Sequence, residues 1–461
     1  MRARLFGAST SEKIDSAQLQ LALDELGDEV AAQQAAQELE INAYTRSKKT
    51  DKVAQSKLPE NIETERVELI PDEVRANPDA YVQIGEEVTE KLEVLPMKFV
   101  RKIIARLKFK KKDQIDAIPF CVALPAQLID RSLATPSLMT LIIVSKYVDH
   151  LPLYRLEQIF KRRFDINISR KRMSDWIGYI VDNWLSLIYY SIKSDLLKEN
   201  YLQVDETPIK YIDHDYKGSS KKGYLWVFAN PQGNILFDWQ LGRGHKATKE
   251  ILDKFKGFIQ CDGYRAYDTI ADQNHNITLV GCWAHARRYF YQAYEHGSIE
   301  AAQYLLPIRR LYAVEKVDPE ELAQARKNQS SKILKQIKDQ LDRDSDRYIA
   351  DQKMSKAIAY TKGQWSKLTR YIDHPEIKID NNMIEAGIRP TKLGAKNWLF
   401  IGHPDAGHRT AMLYTILESC KRHQINVTEY LNDVLSRLPN MTNFEAEKAD
   451  LTPEKWKQKN S

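Results

Sequence analysis

From Tyr201 onward the hydrophobic period of this 461-residue chain changes from helical to alternating, and the order of elements that follows suits few architectures. "YLQVDETPIKYI", "GYLWVFANP" and "GNILFDWQL" each read as a strand, and a Pro-Gln-Gly-Asn turn joins the last two. Such turn residues favour an antiparallel hairpin. "HKATKEILDKF" then predicts a helix, and "GFIQCDGYRAYD" a further strand that closes in a glycine turn.

Three antiparallel strands, a helix and a fourth strand make the order of the ribonuclease H-like fold. In that order the first and fourth strands are neighbours. Asp205 lies mid-strand in "LQVDETPI" among apolar residues, where an unpaired carboxylate is costly to bury. Asp262 ends the fourth strand, 262 − 205 = 57 residues later. Both carboxylates are then expected in one pocket. Adjacent carboxylates repel unless a cation lies between them, and their hard oxygens suit Mg²⁺ or Mn²⁺. With a third acid, such a site holds two ions and cleaves or joins phosphodiesters. Each aspartate taken alone also fits a turn cap or a salt bridge.

The candidate third acid is Glu385 in "DNNMIEAGIRP", a stretch that reads as the first turns of a helix ended or kinked before Pro390. Asn381 and Asn382 are expected to orient its turn. It stands 385 − 262 = 123 residues after Asp262. So long a connection implies a helical insertion rather than a structureless loop. Within it, Asp318, Pro319 and Glu321 mark one helix start as cap, first position and capping-box residue.

The sequence therefore predicts a multidomain α+β chain. Its ribonuclease H-like catalytic core, a mixed β-sheet with helices, occupies 199–290 and resumes with the Glu at 376–410, around a helical insertion at 291–375. Ahead of it lie an N-terminal helix and polar linker (1–75), a small β-rich basic module (76–115) and a helical, helix-turn-helix-like region (116–198). A C-terminal helical element (411–440) and a frayed tail (441–461) follow. In the basic module Lys98 to Lys112 carries eight basic residues and no acidic one, interleaved with Phe99, Ile103, Ile104, Leu107 and Phe109. A solvated face on a packed hairpin and a phosphate-binding face both fit that pattern. In the helical region, Pro136 starts one helix, "PLYRLEQIFKRRF" turns Leu153, Leu156, Ile159 and Phe160 to one side, and Ser169 caps a third whose first turn is Arg170, Lys171 and Arg172. The formal charge of +6 permits an anionic partner without demanding one.

Taken in series, "RLFGASTSEK", "PLYRLEQIF", "VDETPI", "CDGYRAYD", "CWAHARRYF", "DNNMIEAGIRP" and "KNWLFIGHPDAGHRTAMLYTILESCK" resemble the insertion-sequence-sixty-six family of DDE transposases across about residues 5–438. That resemblance implies a bacterial insertion-sequence transposase whose metal-binding acids map onto Asp205, Asp262 and Glu385. It implies cleavage at element ends and strand transfer into target DNA. Magnesium, as two ions with manganese as a substitute, would be the cofactor. The implied partners are double-stranded DNA, as terminal inverted repeats and target, further copies of the chain on that DNA, and accessory proteins of the element. Two departures stand out: the leucine-zipper helix usually ahead of the "LFG" motif is shortened, and the zinc-site cysteines are absent from "IPDEVRANPDAYVQIGEEV", so no zinc is expected. As a third departure, Ala386 and Gly387 stand where a basic or larger residue often follows the Glu in that family.

Further candidates for DNA contact are Arg287 and Arg288 on the "CWAHARRYF" helix, and Arg389, Lys392, Lys396, Trp398 and Arg409 around the Glu. A surface acid suits the first two equally, and a core position suits Trp398. Cys282 and His285 form a Cys-x-x-His pair, half a metal site or a structural pair. Cys121, Cys261, Cys282 and Cys420 are too widely spaced for a disulfide framework, and no apolar run suffices to span a bilayer. A cytoplasmic, nucleoid-associated protein without membrane contact is expected. A stand-alone ribonuclease H-like nuclease and a catalytically inactive DNA-binding relic remain open as alternatives.

Overall fold

The computed structural model describes residues 98–104, 125–213, 220–231, 233–244, 249, 251–348, 352–441 and 451–460. The N-terminal helix and polar linker, the cysteine-free stretch and most of the basic module lie outside them. The described part of that module, 98–104, forms no strand. Phe99 instead meets Phe160 and Phe164 edge-on at ring distances of 5.3 and 4.9 Å, while Val100, Ile103 and Ile104 are exposed. Aromatic packing onto a helix has taken the place of strand pairing there.

The helical region begins with α1 (Pro136–Tyr147), where Thr135 accepts the Leu138 N–H and Pro136 holds the first position. α2 (Leu153–Phe164) buries Leu156 and Phe160. α3 (Arg170–Ile180) is capped by Ser169 and continues through a π turn at Val181–Leu185 into α4 (Ser186–Leu196).

The sheet comprises β1 (Tyr201–Ile212), β2 (Ser220–Ala229), β3 (Ile235–Gln240), β4 (Gly257–Gln260) and, after α5 (Arg265–Gln273), β5 (Ile277–Val280). Its order is β3-β2-β1-β4-β5. The first three strands run antiparallel; β4 is parallel to β1, and β5 to β4. Two sequence expectations are corrected. β4 stops at Gln260, so Asp262 follows the strand rather than ending it and Arg265–Asp268 open α5 behind the cap Tyr264; the fifth strand went unforeseen because four residues carry too little alternation. Of the helix expected in "HKATKEILDKF", only 249 and 251–255 are described, and 249, 251 and 252 are helical.

One sheet face, with Leu202, Val204, Trp226, Phe228 and Ile259, packs on α4 and α5 through Tyr189, Leu196, Tyr267 and Ile270. The other, with Ile209, Tyr211, Val227, Phe237 and Trp239, joins the larger core built from α1 to α4 and the C-terminal helices.

The insertion runs through α6 (Trp283–Glu295), α7 (Ala302–Val314), α8 (Pro319–Ala325), α9 (Ser331–Arg343), α10 (Gln352–Gly363) and α11 (Trp365–Thr369). Asp318 takes the expected cap position of α8, but its side chain makes no capping bond. α12 (Asn382–Trp398) carries Glu385 and does not end at Pro390. Ile384, Ile388 and Thr391 are buried on one side of it, and this tertiary packing offsets the N–H that proline lacks. α13 (Pro404–Arg422) covers the edge strand, where Thr415 and Ser419 accept the Phe237 and Ile235 N–H groups at 2.9 and 3.3 Å. Those donors would otherwise invite pairing with another chain.

α14 (Val427–Arg437) is capped by Asn426 as expected. Of the final segment, the described residues 451–460 do not fray: α15 (Pro453–Asn460) docks, with Leu451 fully buried. Tyr430 donates to the Leu451 carbonyl at 2.6 Å, and the Trp456 indole donates to Asp433 at 2.7 Å. An aromatic anchor has outweighed the polar composition. Among the described residues no helix is long and apolar enough to cross a membrane.

Candidate active site

β1 and β4 pair in register from Tyr201↔Phe258 to Gln203↔Gln260, an offset of 57 residues. Continued two residues along both chains, that offset sets Asp205 level with Asp262. Side chains alternate along a strand, so each aspartate shares a face with the glutamine two positions before it. Gln203 donates to the Gln260 side-chain oxygen at 3.0 Å, which shows that the two positions converge on one face. Glu206 points the other way: it accepts from the Tyr267 hydroxyl at 2.9 Å and from Arg243 at 2.7 Å.

Glu385 reaches the same place along a fixed path. The chain entering α12 is held by the sheet's buried polar residues: Gln260 donates to the Lys378 carbonyl at 2.7 Å, Gln203 to the Asp380 carbonyl at 2.8 Å, and Lys378 N–H to the Tyr201 hydroxyl at 3.2 Å. Tyr201 in turn donates to Gln260 at 2.6 Å. From the insertion side, the fully buried Arg326 donates to the carbonyls of Tyr371, His374 and Ile377 at 2.7, 2.9 and 2.9 Å, and pairs with Glu315 at 2.6 Å. Buried carbonyls need such donors, so this strap from Tyr371 to Asp380 has little freedom. The turn before α12 is oriented by Asp380, which accepts from the Asn382 N–H at 3.1 Å and from its amide at 2.8 Å, while Asn381 makes no side-chain capping bond. Gly387 allows the helix to come down on β3, since a Cβ there would lie 2.5 Å from the Ile235 methyl.

The three carboxylates lie close enough to act on one another. Asp205 is pushed well above the usual carboxylate range by burial first and by Glu206 next, with Asp262 and Glu385 adding to the effect. The Glu206 N–H, 2.8 Å from it, opposes that shift only in part. Asp262 accepts the Tyr264 N–H at 2.9 Å. Glu385 accepts from Arg288 with both oxygens, at 3.0 and 3.1 Å, and has the His285 ring 3.8 Å away. Burial and Arg288 hold His285 below its usual value.

This donor set fits a hard divalent cation: three carboxylates lie near one another, and the burial and negative neighbours that push Asp205 up are what a bound cation would offset. Among the described residues, no group of three or more His, Cys, Asp or Glu side chains is already gathered as a metal shell. Glu385, turned to Arg288, is the member that would have to move. The Cys282-x-x-His285 pair divides, with Cys282 fully buried ahead of α6 and His285 facing the carboxylates.

The expected DNA contacts sort unevenly. Arg170, Lys171 and Arg172 are exposed on the first turn of α3, with Lys171 also bound to Asp175 at 2.8 Å. Arg389 and Lys396 are exposed on α12, Lys392 donates to the Pro208 carbonyl at 3.0 Å, and Trp398 packs against the core. Arg409, partly exposed, pairs with Asp182 through contacts of 2.6 to 3.0 Å and covers Gly178. Arg287 lies near Asp380 and the Tyr312 ring, and Arg288 serves Glu385. Sequence reasoning passed over Tyr201, Gln203, Gln260 and Arg326. The glutamines had a signal, an amide inside each apolar strand two residues before an aspartate; Arg326 had none.

Residues 131–409 match the family model described as "Transposase IS66 family". The chain is also similar to three uncharacterized proteins of Sinorhizobium fredii. Protein y4qI is 31% identical over 376 residues, which cover 77% of this chain and 69% of that protein. Protein y4jD is 28% identical over 81% of this chain and 76% of its own length, and y4hP is 26% identical over 91% and 81%.

Proposed function

The chain belongs to the IS66 transposase family, and we propose that it cuts DNA at the ends of its element and joins the freed ends to target DNA, using Asp205, Asp262 and Glu385 as a DDE-type site on a ribonuclease H-like core. The observation that carries this reading is the electrostatic influence of Asp262 and Glu385 on the buried Asp205, with the β1–β4 pairing ending at Gln203 and Gln260, two residues before each aspartate, and a buried strap leading to Glu385. The strand order β3-β2-β1-β4-β5 supports the ribonuclease H-like assignment.

The three acids would hold Mg²⁺ or Mn²⁺, which when bound supplies Lewis-acid activation of the attacking oxygen and charge stabilisation of the leaving one. The chain's own contribution is placement. Gln203, Gln260 and Tyr201 fix the strap against the sheet, so the chain entering α12 stays in place while only the Glu385 side chain has to turn as charge develops on the phosphoryl oxygens. Exposed Arg170, Lys171, Arg172, Arg389 and Lys396 are suited to the phosphate backbone, which they would position without reading its sequence.

The test uses the full chain and a duplex made from the DNA flanking its coding sequence, with Mg²⁺ or Mn²⁺. Cleavage and joining are expected from the wild type and neither from Asp205→Ala, with DNA binding retained. Cleavage without joining would identify a stand-alone nuclease. Binding without cleavage by the wild type would identify a relic.

A further inference from the structure

We propose that Arg288 is a latch on this site, holding Glu385 away from cation binding until a DNA phosphate competes for the guanidinium. The proposal rests on the carboxylate reading above. α6 presents Arg288 from the insertion side, where one of its nitrogens lies 3.0 and 3.1 Å from the two oxygens of Glu385. Such a charge-assisted contact turns the carboxylate toward the guanidinium and engages one lone pair on each oxygen, so a cation must compete with it. The neighbouring acids are not neutralised in this way: Asp262 accepts a backbone N–H, and Asp205 has only the N–H of Glu206 against several negative neighbours. Arg288 therefore bonds the one acid of the three that comes from a helix.

Geometry also makes the contact exchangeable. The Arg288 side chain is 44% exposed, whereas that of Glu385 is 23% exposed. Arg326, which is fully buried and bonded on every side, shows what a permanent arginine contact looks like in this fold. A guanidinium open to solvent matches phosphate as readily as carboxylate. A phosphate entering beside Asp205 and Asp262 would draw Arg288 off Glu385 and leave the third carboxylate to close on the cation. DNA and cation would then favour each other's binding, and the coupling must be reciprocal. The device keeps a DNA-cutting site incomplete when no DNA is present.

The experiment measures Mn²⁺ binding to the full chain by the paramagnetic resonance signal of the free ion, with and without a DNA duplex. Far-UV circular dichroism verifies that each variant folds. Without DNA, Arg288→Gln is expected to bind Mn²⁺ about tenfold more tightly than the wild type, and Arg288→Lys to fall between them. In the Glu385→Gln background, Arg288→Gln should bring no such gain. Added duplex should tighten Mn²⁺ binding by the wild type but not by Arg288→Gln. Equal or weaker Mn²⁺ binding by Arg288→Gln, or equal tightening of both proteins by DNA, would overturn the latch. If Glu385→Gln leaves Mn²⁺ binding unchanged in the Arg288→Gln background, the fault lies with Glu385 as a ligand and hence with the site reading itself.

Discussion

Replacing Arg326 with methionine removes the clamp that ties the insertion to the strap leading into α12. The arginine is fully buried and donates to three carbonyls, those of Tyr371, His374 and Ile377, and to both oxygens of Glu315. Methionine fills similar volume but donates nothing. Three acceptors and a carboxylate would be left without their donor. Breaking a buried ion pair from one side costs about 3–5 kcal/mol, mostly through the charge left behind. Because the strap can shift toward solvent, the orphaned carbonyls, at roughly 1–3 kcal/mol each, do not add in full. A loss of about 4 kcal/mol by urea denaturation is therefore expected for Arg326→Met. Adding Glu315→Leu should restore at least about 1 kcal/mol, because the unpaired carboxylate goes with it. The clamp also aims Glu385, so the turnover of DNA cleavage should fall while DNA affinity holds. A loss below about 1 kcal/mol, or single and double variants that simply add, would refute the reasoning.

Two further outcomes follow from the packing. Leu451→Ala should cost about 2–4 kcal/mol in thermal or urea unfolding, since Leu451 is fully buried beside Tyr430; no measurable loss would mean that the last helix contributes nothing to the core. Asp238 is held above the usual carboxylate range by burial, against the opposing effects of Gln240, Lys193, His408 and Tyr189. The folded chain therefore keeps this proton to higher pH than the unfolded chain, and stability at this site falls as pH rises from the ordinary carboxylate value through the raised one. Asp238→Asn lacks that titration, so its melting temperature relative to the wild type should rise between about pH 4 and pH 7; a flat or falling difference would contradict the assignment.

Asp205 and Asp262 were legible in the sequence as candidates because one lies in a strand of period two and the other two residues past the end of a strand, and their spacing of 57 residues equals the register offset of those strands. Glu385 was legible only as a type of residue in a motif. Its position depends on Gln203, Gln260, Tyr201 and Arg326, whose contacts join residues far apart in the chain. Hydrophobic periodicity holds no record of such contacts. The docking of α15 escaped for a similar reason, since Leu451 and Trp456 stand alone in a polar segment and gain meaning only against Tyr430 and Asp433. The pairing of Arg409 with Asp182 was not legible either, since the two stand 227 residues apart.

Pro390 has a mechanical consequence for Glu385. Proline has no N–H to give the carbonyl of Ala386, so the first five residues of α12, Asn382 to Ala386, are stitched to the rest of the helix by one rung fewer. The turn that carries the carboxylate answers to the strap at its front more than to the rod behind it. A small swing there would carry the acid between arginine and metal, and would leave undisturbed the longer part of α12 that rests on the sheet.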